Sequence, residues 1–61
     1  MDAKTQASVW YTVMSKLTRE AQNQADGGSR ELAKTFQGAA SIAAMVAEAY
    51  NAHAPKDATN G

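Results

Sequence analysis

The punctuation around "DGGS", Asp26 to Ser29, constrains this chain more than any other feature of it. These four residues hold the only glycine pair, the only proline is Pro55, and the two long segments they delimit contain no helix breaker except Gly38. Glycine adopts positive φ without steric penalty, and proline disfavours the helical conformation of the residue before it. The layout predicts helix, turn, helix, tail. The expected organisation is an antiparallel helical hairpin over residues 1–54, with a first helix from about 3 to 25, a turn over 26–29 and a second helix from about 30 to 53. Residues 55–61, "PKDATNG", read as a flexible tail with nothing to bury. Asp2 or Thr5 suits the first N-cap, Gly27 the left-handed residue closing the first helix, and Ser29 the N-cap of the second. Glu31 then lies near the positive end of the second helix dipole and His53 near its negative end.

Periodicity supports helices over strands. In the first segment Ala3, Ala7, Trp10, Met14, Leu17 and Ala21 step by four and three residues in alternation, the a/d seam of a heptad. Leu32, Phe36, Ala39, Ala43, Val46 and Tyr50 repeat that stepping in the second. The one local conflict is "SVWYTVM", whose β-branched and aromatic residues favour strands. A strand there, followed by two helices, implies a ribbon-helix-helix DNA-binding dimer with Lys4, Gln6 and Ser8 toward the bases. The run Val9, Trp10, Tyr11 breaks the alternation a strand needs, so helix is the expectation.

Size then bears on assembly. A domain of 61 residues buries only about 60% of the surface its unfolded chain exposes, and small scaffolds add disulfides, a metal or a second copy to compensate. Cysteine is absent and His53 is the only histidine, so no disulfide, metal site or cofactor is expected. A second copy remains. Formal net charge is zero, which lowers the expectation of strong polyanion binding. No apolar signal segment opens the chain and no apolar run reaches the roughly 20 residues of a membrane span. A cytoplasmic location without membrane attachment is the expectation.

The second segment is more apolar than one neighbouring helix can cover. Ile42, Met45 and Ala49 extend one flank of its seam, and Ala40, Ala44 and Ala47 the other; with Gly38, Ala39 and Ala43 they make a smooth surface suited to close packing of another helix. The expected fold class is therefore all-α, two helices dimerising into a four-helix bundle. Val9, Tyr11 and Val13, with Ile42, Met45 and Ala49, are the candidate protein-interaction residues. Trp10, Met14, Leu17, Leu32, Phe36, Ala39, Ala43, Val46 and Tyr50 are candidates for the core or dimer seam. No catalytic constellation is legible, since His53 has no organised partner and no carboxylates pair at i, i+4. The expected function is that of a small non-enzymatic module, a regulator, inhibitor or accessory subunit, with itself and another protein as partners.

Two alternatives follow from other features. The polar face of the first helix carries Lys16 and Arg19 beside Ser8, Thr12 and Asn23, and a dimer presents that stripe twice. In layout, though in no sequence motif, this resembles the plasmid copy-number hairpin that grips paired RNA loops with one face of a four-helix bundle; nucleic-acid binding through Lys16 and Arg19 is what the resemblance implies. Two cations per chain neutralise few phosphates, which weighs against high affinity. The other alternative is a structural subunit of a larger, open-ended assembly.

Overall fold

The structure, a computed structural model, describes residues 1–54; the tail expected over 55–61 lies outside the described residues. Asp2 opens the first helix. Its backbone is extended and its carboxylate accepts the backbone N–H of Thr5 at 2.8 Å, satisfying one of the donors that a helix start leaves unpaired. Helix α1 then runs Ala3–Asp26. Val9 to Val13 lie inside it, so the ribbon-helix-helix alternative falls: helical spacing of the large apolar residues prevails over their individual strand preference.

A glycine motif ends α1. The N–H of Gly28 donates to the carbonyl of Ala25 at 3.0 Å and that of Ser29 to the carbonyl of Gln24 at 2.8 Å, the paired bonds of a Schellman turn. Gly28 has φ of +89°, whereas Gly27 has φ of −83° and still donates to Asn23 in helical fashion. The expectation that Gly27 would be the left-handed residue is thus corrected by one position. Ser29 follows as the N-cap of α2 (Arg30–His53), and its carbonyl accepts the N–H of Ala33 at 2.9 Å. Its hydroxyl makes no capping bond, so it fills the cap by position only. Ala54 is extended, with φ −68° and ψ 143°, as the residue before Pro55 should be.

The result is an all-α hairpin of two helices, each of 24 residues, with no strand among the described residues. Its core is made of methyl groups. Ala7 and Ala21 of α1 and Ala33, Ala40, Ala43 and Ala47 of α2 are the buried residues, and no larger side chain is fully buried among those described. Ala33, Ala40 and Ala47 are seven residues apart, as are Ala7, Met14 and Ala21, so each set lies on one stripe of its helix. Alanine at those points suits the short end of the usual 8–10 Å interaxial range, roughly 8 Å.

In α2 the observed contact is turned by one residue from the expected seam. Phe36 and Ala43 belong to both, but Ala33, Ala40 and Ala47 replace Leu32, Ala39 and Val46 at the centre. Side-chain bulk is the reason: two backbones that approach closely leave room for methyls, and larger groups are displaced to the margins.

Candidate functional site

Burial on methyls leaves Leu32, Ile42, Met45 and Tyr50 of α2 outside. Leu32 is 49% exposed, Ile42 58% and Met45 63%, while Val9, Tyr11 and Tyr50 are also exposed. Trp10, Val13, Met14, Leu17, Phe36, Ala39 and Val46 are half-buried at the edges of the helix contact. Leu32 and Tyr50 therefore sit at its margin in the single hairpin, not within it.

Helical spacing divides these residues between two sides. Residues seven apart share a face, so Lys4, Tyr11 and Thr18 form one column of α1. A shallow groove brings Tyr11, Lys4, Ser8 and Ser15 together with Asn51 of α2, and a second brings Met14 and Thr18 together with Gln37, Ser41 and Ala44. The first groove is lined mainly by polar residues, and the second by polar and apolar residues alike. The opposite side carries Val9 and Val13 from α1, with Gln6 and Glu20 in the column of Val13, and the columns Leu32, Ala39, Val46 and Thr35, Ile42, Ala49 from α2. Of the six candidate interaction residues, Val9, Val13, Ile42 and Ala49 thus share a side, Met45 lies beside them on the back of α2, and Tyr11 is separated from them.

Several polar side chains are engaged with their own helix. The hydroxyls of Thr12, Thr18 and Thr35 donate to the carbonyls of Ser8, Met14 and Glu31, at 3.1, 2.9 and 3.0 Å. The Gln24 amide donates to the Glu20 carboxylate at 2.8 Å and the Gln22 amide to Asp26 at 2.9 Å. Lys16 and Arg19 stand exposed on the outer face of α1. The Asp2 carboxyl is held below the usual aspartate range, chiefly by the backbone N–H of Thr5.

No three His, Cys, Asp or Glu residues cluster in metal-binding geometry among the described residues, and no helix there is long and apolar enough to cross a membrane. Two sets of small residues bear on how the helices pack. The alanine stripe at 33, 40 and 47 was readable as a strict seven-residue repeat. Gly38 lies mid-helix with nothing within 4 Å of where a Cβ would stand, so the hairpin itself gives no reason for a glycine there.

Fold and surface together define a small all-α hairpin whose sides differ: one gathers Lys4, Ser8, Ser15 and Asn51 around a shallow groove, and the other exposes apolar residues of α2. No protein-family model matches the chain, and comparison with curated proteins and with solved structures finds no match.

Proposed function

We propose that this protein is a non-enzymatic interaction module, a cytoplasmic regulator or accessory subunit that acts by occupying a protein surface with the apolar side of its hairpin. The observation that carries this reading is the exposure of Leu32, Ile42 and Met45 above a core of alanines. Exposed apolar surface concentrated on one side marks a place for association. Self-association into a four-helix bundle and docking on a different protein both use this side.

The test is substitution of Ile42 or Met45 by aspartate, with light scattering and partner capture as readouts. Loss of assembly or of capture is expected. Unchanged mass and unchanged capture in both variants remove this surface from consideration.

A nucleic-acid-binding reading is favoured by one observation, the exposure of Lys16 and Arg19 on the outer face of α1. Phosphate contacts weaken steeply with salt. Absence of any RNA or DNA shift at low salt eliminates it.

A further inference from the structure

The occupant of the apolar side can be chosen from the order of small and large residues along α2. Four residues before Ile42 stands Gly38, followed by Ala39; three residues after it stands Met45, followed by Val46. When two copies of α2 run in opposite directions with Ile42 facing Ile42, Gly38 and Ala39 of one come level with Met45 and Val46 of the other. Small then opposes large on both sides of the crossing, the pairing that fills space without voids. Ile42 also falls at the middle of Arg30–His53, so this register overlaps the two helices along their whole length.

Resting on the interaction reading above, we infer that the hairpin's partner is a second copy of this chain, related by a two-fold axis at Ile42, with the two turns at opposite ends. Three observations support this choice. Gly38 faces open space in the single hairpin, and a mid-helix glycine weakens a helix relative to alanine. The second copy's Met45 supplies the missing reason for it. The span is adequate as well: a helix of 24 residues is about 36 Å long, so α2 offers the second copy an uninterrupted stripe along its whole length. Alternatives pair less well. Running the two α2 helices in the same direction sets Gly38 against Gly38 and Met45 against Met45, and setting α2 on the other copy's α1 places it beside Gln6, Lys16 and Glu20, polar groups that resist burial.

The experiment exploits the absence of cysteine. Ile42→Cys, Thr35→Cys and Ala49→Cys are each treated with a short bis-maleimide, alone and mixed, and the dimer is followed by sedimentation equilibrium. Ile42→Cys is expected to link to itself. Thr35→Cys and Ala49→Cys are expected to link only when mixed. Gly38→Leu is expected to weaken the dimer by about tenfold or more, the effect of overfilling a packed contact. A dimer in which Ala49→Cys links to itself overturns the two-fold placement and leaves the surface-occupying reading intact. A sedimenting monomer at high micromolar concentration overturns the second copy as occupant, and partner capture that is lost in Ile42→Asp then still supports the broader reading.

Discussion

Ser29 donates its backbone N–H to the carbonyl of Gln24 at 2.8 Å and, with its own carbonyl, accepts from Ala33 at 2.9 Å. One residue therefore closes α1 and opens α2. Such a shared residue makes the turn as short as a Schellman motif allows, and it fixes which stripe of α2 is presented to α1.

The two turn glycines should respond differently to alanine. Gly28→Ala forces an L side chain to φ of +89° and is expected to cost about 1–2 kcal/mol. At Gly27, where φ is −83° and an added Cβ meets only Asn23 and Gln24 carbonyls at ordinary contact distance, alanine should be neutral or stabilise by up to about 1 kcal/mol. Urea titration followed by circular dichroism compares them; equal effects contradict the Schellman assignment.

Enlarging a seam alanine should be far more harmful than enlarging an exterior one. Ala47 is 0% exposed, and Ala47→Leu must push the helices apart, with an expected loss of about 1–3 kcal/mol. Ala52→Leu, on the exposed side, is expected to change stability by less than about 0.5 kcal/mol. Thermal melts of the pair measure the difference.

Acid should loosen the start of α1. The Asp2 carboxyl titrates lower when its helix is formed than when it is not, so its contribution is fully present above the unfolded pKa of about 3.9 and is lost as pH falls through the lower folded value. Asp2→Asn keeps a capping oxygen and removes this titration. Hydrogen exchange at Thr5 between pH 5 and pH 2 is expected to rise in the parent relative to the variant; parallel curves count against the cap.

Position on the hairpin should decide the effect of a surface charge. Ile42→Asp is expected to prevent association, whereas Tyr11→Asp, on the polar side with Ser8, Ser15 and Asn51, is expected to leave it unchanged. Gel filtration of both variants is sufficient. Equal disruption would merge the two sides into one binding surface.

Much of the fold was readable before any coordinates. Glycines 27 and 28, Pro55 and the four-three stepping mark out both helices because breakers and periodicity act locally. Which glycine turns left-handed was not readable, since adjacent glycines offer the same freedom and only the closing hydrogen bonds of Gly28 and Ser29 choose between them. The stripe of α2 facing α1 was misplaced by one residue for a different reason. Weighting by hydrophobic bulk selects Leu32 and Val46, yet close helices select what fits between them, Ala33, Ala40 and Ala47. The candidate surface followed from the same oversight: what bulk assigned to the inside, in particular Leu32 and Tyr50, is part of the outside.

The alanine-rich seam also has a calorimetric consequence. The heat-capacity increment on melting follows the apolar area newly wetted, about 0.45 cal/K/mol per Å², and alanines contribute little of it. A hairpin melting alone has a shallow stability curve, nearly indifferent to temperature. Strong curvature, with a maximum and a cold-side decline, is the signature of Ile42 and its neighbours leaving an oily contact for water.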